Sequence, residues 1–381
     1  MKIDQSQISS TRFMYTIAFF LQSSALLTAF LSSITEHDSW IPVLIGGVLC
    51  IPLILVYRSL MVNFPENTLL GMLDTVYGPV VGKILGVGYV WFFLTLSALN
   101  LTDLGDFTKI TVLTETPSMI LAIFCVLVVV WAVRHGVKVV TRYSALFTIT
   151  EFFIVFISTL LLFDKIDLKN FLPMFQLEPI KYIHSTHIIA TIPIGELVVL
   201  LMLTPSVKLS RKTATKCWFL GVGMGMITLL VVLMRDIAVL GNTMRMFALP
   251  GLVTMRLIHL GESLSRVEIL FAVALMMLLF FKVAVLCYVS TIAIAQMFKT
   301  KKYKNLALIV GIFVVYYGTI LYPNNVEHVV ISQEMMPFFW GIFEIVIPIL
   351  TLVIAKIRKL PKKQPEKQKQ KQEVQHAWDG S

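Results

Sequence analysis

Four ionisable side chains lie within long apolar stretches of the chain: Glu151, Glu196, Lys282 and Glu344. A charge at the centre of a membrane span costs roughly 2.5–3.5 kcal/mol on insertion scales, so it usually pairs, binds a ligand or carries a proton. For Lys282, three interpretations are open: an ion pair with Glu196 as the best partner, contact with a ligand carboxylate, and titration in a buried site. We interpret Glu151 and Glu344 as hydrogen-bond partners between helices.

Glu196 follows residues that interrupt a helix. Pro193 lacks a backbone donor and crowds the preceding turn, and Gly195 permits backbone geometries that other residues resist. This pattern predicts a broken helix whose free backbone groups form a site near the membrane midplane. The alternative is a proline kink in which Glu196 bonds to a neighbouring helix.

The first apolar stretch has a weaker counterpart, because Gln22-Ser23-Ser24-Ala25 interrupts an apolar run. Small hydroxyl residues are also common where helices simply pack together. However, corresponding interruptions in the two halves of a chain are the usual sequence indication of a transporter site. If the chain has ten apolar stretches in two halves of five, these two interruptions lie in the first stretch of each half, the first and the sixth.

The composition requires that these stretches cross a membrane. Of 381 residues, 57% are hydrophobic and 14% charged, whereas soluble domains are about 25% charged. An ordinary soluble enzyme, a disordered chain and a disulfide scaffold are therefore excluded, and we predict an all-α integral membrane protein. Ten segments have spanning length: 12–34, 40–62, 80–102, 117–134, 141–163, 184–206, 217–240, 267–298, 305–322 and 337–357.

Lysine and arginine residues set the orientation. With the N-terminus in the cytoplasm, 23 of the 32 fall in inner segments and 8 in outer links, and the remaining one is Lys282 within a span. We therefore expect both termini to be cytoplasmic. We expect residues 1–358 to form one transmembrane domain and 359–381 a disordered Lys/Gln-rich cytoplasmic tail. Two interpretations of the tail are open: a solvated anchor of the topology, or attraction to anionic membrane lipid. In the outer link 241–266, the residues after Pro250 predict a short interfacial helix. Asp103 and Asp106 lie near the outer end of the third span and are expected in solvent.

No motif indicates an enzyme. The sequence contains no HExxH, nucleophile-elbow or phosphate-loop pattern. His184 and His187 lack a third metal ligand, and the four cysteines have no metal-binding spacing. We therefore expect no catalytic residue, no metal, no cofactor and no nucleic-acid partner.

The chain resembles, over about residues 8–358, the spore germination permease family, the B subunits of nutrient germinant receptors. Six short motifs follow the family's order: His37-Asp38-Ser39-Trp40-Ile41, Gly78 to Gly86, Thr116-Pro117, Gly136 to Arg142, Pro193-Ile194-Gly195-Glu196, and Tyr322-Pro323-Asn324.

The resemblance implies a five-plus-five inverted repeat with broken helices one and six, as in the amino acid–polyamine–organocation superfamily. It also implies a location in the inner membrane of the bacterial endospore, with a larger A subunit and a lipoprotein C subunit as partners. The ligand would be a small nutrient, an amino acid or a sugar, bound between helices one, three, six and eight. Mapped onto this sequence, that site comprises Ser23, Ser24, Ala25, Phe92, Leu96, Gly195, Glu196, Lys282 and Leu286.

Three functions remain open. The first is a germinant sensor, whose ligand shifts a two-state equilibrium and triggers germination. The second is an amino acid/cation or proton symporter of the same fold, with Lys282 or Glu196 carrying a proton. The third is a structural membrane subunit whose polar residues only pack helices.

Overall fold

The computed structural model describes residues 6–258, 268–300, 302–322 and 325–361. These residues form an all-helical bundle, which confirms the predicted fold class. The α-helices are, in chain order, α1 (Ser10–Gln22), α2 (Leu27–Thr35), α3 (Trp40–Leu49), α4 (Ile51–Asn63), α5 (Leu69–Tyr77), α6 (Pro79–Thr111), α7 (Ser118–Arg134), α8 (Val137–Val140), α9 (Ser144–Leu161), α10 (Pro179–Ile189), α11 (Arg211–Leu240), α12 (Pro250–Arg256), α13 (Glu268–Met297), α14 (Tyr303–Ile320), α15 (Asn325–Glu334), α16 (Met336–Gly341) and α17 (Ile347–Ile357).

Two chain segments have the wide turns of a π-helix, Ala190–Ile194 and Ile342–Val346. The first continues into a 3₁₀ segment, Gly195–Ser206. Shorter 3₁₀ segments are Glu36–Asp38, Phe163–Lys165, Leu168–Phe171 and Gly241–Met246.

Within the described residues, seven helices are long and apolar enough to cross a membrane. The number becomes nine if two bent pairs are each one span: Ser10–Gln22 with Leu27–Asp38, bent by 47°, and Trp40–Leu49 with Ile51–Asn63, bent by 42°. The remaining predicted segment, 117–134, is the shorter apolar helix α7. At about 1.5 Å per residue, its 17 residues fall just short of the hydrocarbon thickness, so the count of ten stays a prediction.

The helices differ from the predicted boundaries in two places. Helix α6 extends to Thr111, nine residues beyond the predicted end at residue 102, so Asp103 and Asp106 lie within the helix and not beyond its end. Helix α5 was not predicted. Its N-terminal cap, Thr68, accepts a hydrogen bond from the amide of Gly71 at 3.2 Å. The helix packs against α6.

The interfacial helix expected in the outer link corresponds to α12, which packs against α11 and α13. Residues 259–266 of that link lie outside the described residues. The predicted tail, 359–381, lies almost entirely outside them as well, since the described chain ends at residue 361.

Glycines on α11 allow it to pack closely against α1. A Cβ at Gly221 would lie 2.7 Å from the Met14 carbonyl oxygen, and one at Gly225 would lie 2.4 Å from the Leu21 Cβ. Spaced four residues apart, these glycines form the small-residue stripe that lets membrane helices approach closely. The contact fixes the end of α1, where the first span is interrupted.

Candidate ligand-binding site at the helix breaks

The first span breaks where the sequence predicts it. Helix α1 ends at Gln22 and α2 begins at Leu27, with four residues in turns between them. The amides of Ser24 and Ala25 donate to carbonyls three residues earlier, at 3.0 and 3.1 Å, and the Ser23 hydroxyl donates to the Phe20 carbonyl at 2.7 Å. These local bonds satisfy backbone groups that a regular helix would have paired.

The sixth span changes from one type of helix to another at Pro193. Proline cannot donate a backbone hydrogen bond, and here the chain widens into the π segment and then tightens into the 3₁₀ segment that begins at Gly195. The Tyr57 hydroxyl lies 3.0 Å from the Gly195 carbonyl oxygen and donates to it. Glu196 is the second residue of the 3₁₀ segment.

Lys282, on α13, connects the two breaks. Its Nζ lies 2.6 Å from Glu196 Oε2 and donates to Ser24 Oγ at 3.1 Å. The ammonium also lies 5.0 Å from the centre of the Phe20 ring, within the range of a cation–π interaction. Both side chains of the ion pair are 3% exposed, so the charges compensate each other in a site from which water is largely excluded.

A cavity of about 230 Å³ begins at this ion pair. Polar groups line both of its ends, with Ser23, Ser24, Glu196 and Lys282 at the inner end. Apolar walls between them include Phe30, Phe107, Leu279 and Trp340. The opposite end is lined by Asp103, Asp106, Ala248, Leu249, His328 and Ser332.

His328, on α15, lies over the far end of the cavity. Its Nε2 is 3.7 Å from Asp103 Oδ1, and the Asp103 side chain is 36% exposed, so solvent reaches this end. The Tyr322 ring stacks on the imidazole with ring centres 4.6 Å apart.

The nine residues mapped from the sequence fall into two groups. Four of them line the cavity: Ser23, Ser24, Glu196 and Lys282. The other five do not line it: Ala25, Phe92, Leu96, Gly195 and Leu286.

The second group lies behind or beside the walls. Ala25 lines a separate cavity of about 20 Å³. Phe92 stacks on Phe343, with ring centres 5.3 Å apart and planes inclined by 10°. Leu96 and Leu286 are fully buried in the core.

The sequence reasoning missed Asn100, Asp103 and Asp106 on α6 and His328 on α15. The signal in α6 is its spacing, because residues 100, 103 and 107 lie on one helical face, and that face lines the cavity. His328 gives no local signal, since its partner Asp103 belongs to a distant part of the chain.

One other buried acid, Glu344, differs from expectation. Both carboxyl oxygens of Glu344 lack a hydrogen-bond partner among the described residues, as does Oε2 of Glu151. The expectation that Glu344 bonds to another helix through its carboxyl group is therefore wrong for this structure. Near Glu151, a second buried ion pair joins Arg235 to Asp236 at 2.7 Å.

Comparison with known proteins identifies the family. A model of the spore permease family, described as spore germination protein, matches residues 7–327. The chain belongs to the spore germination permease family.

Curated members of this family from Bacillus subtilis (strain 168) match over nearly their whole length. Spore germination protein KB is 25% identical over 352 residues, which covers 91% of this chain and 94% of KB. Spore germination protein YndE is 25% identical over 371 residues and covers 94% and 99%.

Solved transporters share the fold of this family member. Mhp1, a nucleobase-cation-symport-1 family transporter in a closed conformation with bromovinylhydantoin bound, superposes with a TM-score of 0.60 at 11% identity, covering 84% of this chain and 73% of Mhp1. MhsT in complex with L-phenylalanine gives a TM-score of 0.53 at 13% identity, with 87% and 97% covered. At these identities the likeness concerns the fold alone, and it agrees with the predicted transporter-like architecture with broken helices one and six.

Proposed function

We propose that the chain is the B subunit of a spore nutrient germinant receptor and that a small nutrient binds in the cavity next to Lys282. The observation that carries the proposal is the position of the ion pair. Lys282, Glu196 and Ser24 meet where two interrupted spans face each other, at the inner end of a cavity that solvent reaches. The family membership supplies the setting, spore germination.

The polar groups of the cavity suit a small ligand with both charges or with many hydroxyl groups. Lys282 and Ser24 offer donors to a carboxylate, and Glu196 offers an acceptor. Asp103 and Asp106 place further acceptors at the solvent end, where an ammonium group would be stabilised. The volume, about 230 Å³, lies below the roughly 300–1,000 Å³ of typical small-molecule pockets, which favours an amino acid or a sugar over a larger ligand.

In this proposal the ligand contacts Ser23, Ser24, Glu196 and Lys282 directly. The other mapped residues do not line the cavity in this conformation, so their contact with ligand stays a prediction. They are Ala25, Phe92, Leu96, Gly195 and Leu286.

Binding would act by favouring one of two arrangements of the broken spans. A ligand can shift such an equilibrium only by its differential affinity for the two states. In the sensor proposal, the shift passes to the A subunit and to the lipoprotein C subunit in the spore inner membrane. Both termini then face the cytoplasm, and the Asp103 end of the cavity faces outward, where a germinant arrives.

A symporter for an amino acid with a cation or proton is the second candidate. The specific observation that favours it is the concentration of titratable groups in the centre of the bundle, where Glu344 lies next to the Lys282–Glu196 pair. Uptake of a radiolabelled amino acid by purified protein in liposomes, driven by a pH or sodium gradient, would favour the symporter over the sensor.

The experiment that tests the sensor proposal is germination of spores carrying Lys282→Ala. Dose–response curves are recorded against a panel of amino acids and sugars, and subunit levels are checked by immunoblot. We expect the half-maximal concentration of one nutrient to rise at least tenfold at normal protein level, because the ligand loses a charged donor. That factor corresponds to about 1.4 kcal/mol.

Glu151→Gln is the matched control for a second variant, Glu196→Gln. Both substitutions neutralise a buried carboxyl group within a span, but only Glu196 lines the cavity. We expect Glu196→Gln to shift the nutrient response and Glu151→Gln to leave it in place. Unchanged responses in both cavity variants at normal protein levels would remove these residues from the ligand site.

A further inference from the structure

Glu344 is a fully buried acid that the proposed ligand site does not use. Its side chain is 0% exposed, and among the described residues neither carboxyl oxygen has a hydrogen-bond partner. The π segment Ile342–Val346 directs it toward the break of the sixth span. There it packs on Gly195, since a Cβ added at that glycine would lie 2.5 Å from Glu344 Oε2 and 3.0 Å from the Ala190 carbonyl oxygen.

Among the described groups that face Glu344, no cation is available to pair with its carboxyl group. From the elements packed against it, the titratable groups that interact with it electrostatically are Glu196 of the sixth span, Lys282 of α13, Tyr57 of α4, Tyr89 of α6 and Cys50 between α3 and α4. Lys282 is the one cation in this described set, and its ammonium already lies 2.6 Å from Glu196.

The two tyrosines that face Glu344 direct their hydroxyl groups elsewhere. The Tyr57 hydroxyl shares its proton between the backbone carbonyls of Glu344 and Gly195, at 2.6 and 3.0 Å, and Tyr89 donates to the Phe343 carbonyl at 2.6 Å. A phenol has a single proton to donate. Neither hydroxyl is therefore free to stabilise an ionised Glu344 carboxylate.

An ionised Glu344 would be a buried charge without a donor and next to a second carboxylate. Burial of an isolated carboxylate is so costly that such groups become neutral instead. Two carboxyl groups that share one site also do not both ionise readily. The neutral, protonated form of Glu344 is the one that this packing accepts.

We propose that Glu344 is a proton-binding site, occupied while the Gly195–Glu196 break packs against it. If the sixth span moves away from the tenth, water reaches the carboxyl group, its O–H bond breaks, and the proton passes to that water. Glu196 lines the ligand cavity and its neighbour Gly195 covers Glu344, so one movement of the sixth span would act on both. The proton site is independent of which nutrient occupies the cavity.

Infrared spectroscopy of the purified full-length protein in a detergent without ester groups tests the proposal directly. A protonated carboxylic acid absorbs in a carbonyl-stretch region above the amide I band, whereas an ionised carboxylate does not. Spectra of the wild-type protein and of Glu344→Gln are compared at pH 7. We expect the variant to lose the absorbance of one carboxylic acid per chain, and Glu344→Asp to keep that band at a shifted frequency.

Glu151→Gln is the control, because it removes a different buried acid and should leave the Glu344 band in place. Identical carboxylic-acid absorbance in the wild-type protein and in folded Glu344→Gln would show that Glu344 is ionised and would overturn the proposal. If Glu344→Gln does not fold, Glu344→Asp decides between the two outcomes. A protonated carboxyl group at position 344 must change its carbonyl-stretch frequency when aspartate replaces glutamate. Wild-type and Glu344→Asp spectra that coincide would then reject the site.

Discussion

Tyr57 replaces a backbone donor that Pro348 removes from the centre of the bundle. Pro348 stands four residues after Glu344 and has no amide proton, so the Glu344 carbonyl loses its regular helical donor. The Tyr57 hydroxyl donates to this carbonyl at 2.6 Å and lies 3.0 Å from the Gly195 carbonyl. A single side chain thus joins the irregular backbones of the sixth and tenth spans.

His184 makes the same kind of replacement at the other end of the tenth segment. Pro337 follows Gln333 by four residues, and His184 Nε2 lies 2.9 Å from the Gln333 carbonyl oxygen. Because Pro337 has no amide proton, this carbonyl takes its hydrogen bond from a side chain of a neighbouring helix instead. His184, considered from the sequence only as a metal ligand, has a structural partner here.

Tyr57→Phe tests this account, because it keeps the ring that packs beside Trp218 and removes only the hydroxyl. We expect the free energy of unfolding to fall by about 1–3 kcal/mol, since a buried carbonyl is left without its donor. The measurement is the thermal midpoint of the detergent-solubilised protein. Tyr143→Phe, at a ring that is 43% exposed, is the matched control, and equal midpoints for the two variants would contradict the account.

At the scale of helices, the glycine stripe of α11 determines where the first break lies. Gly221 and Gly225 bring α11 against α1 over the two turns that precede Ser23. Because α1 cannot slide past this contact without a clash, Ser24 is held within reach of Lys282. Gly223, between them on the opposite side, has no atom within 4 Å of an added Cβ.

The contrast between these glycines gives a paired prediction. Alanine at either position removes the same helix-propensity penalty, about 1 kcal/mol. Gly225→Ala should nevertheless lower stability by about 1–3 kcal/mol, since overpacking forces α1 and α11 apart. Gly223→Ala should leave the thermal midpoint unchanged or slightly raised. Equal destabilisation by both variants would show that the α1–α11 contact does not depend on the stripe.

Sequence patterns predicted the elements better than the site. Apolar runs located the spans, and the polar or proline-containing stretches at 22–25 and 193–196 lie at the observed breaks because both signals are local. The π segment around Glu344 was not predicted, since it contains neither glycine nor proline and its carbonyls are satisfied by Tyr57 and Tyr89 from distant helices. Asp103 was placed in solvent because hydropathy falls at the end of α6, whereas only three-dimensional packing brings it opposite His328.

For the whole molecule, the distribution of charge and the position of the cavity should agree on one orientation. The Ile8 amide donates to the Ser206 carbonyl at 2.9 Å, so the N-terminal segment and the link before α11 lie on the same side. Most lysines and arginines fall in this and the other inner segments, which predicts that the side is cytoplasmic. The solvent end of the cavity, near Leu249 and His328, belongs to links that the same assignment places outside.

Two cysteine substitutions test this orientation in intact cells that express the full chain. Thr243 and Lys208 are both exposed but belong to links on opposite sides, and the chain's own cysteines are buried or half-buried. A membrane-impermeant maleimide should label Thr243→Cys in intact cells and Lys208→Cys only after permeabilisation, with the unsubstituted protein as the background control. The reverse pattern would place the Asp103 end of the cavity in the cytoplasm. A nutrient arriving from outside could then not enter there, and the sensor proposal would fail together with the predicted orientation.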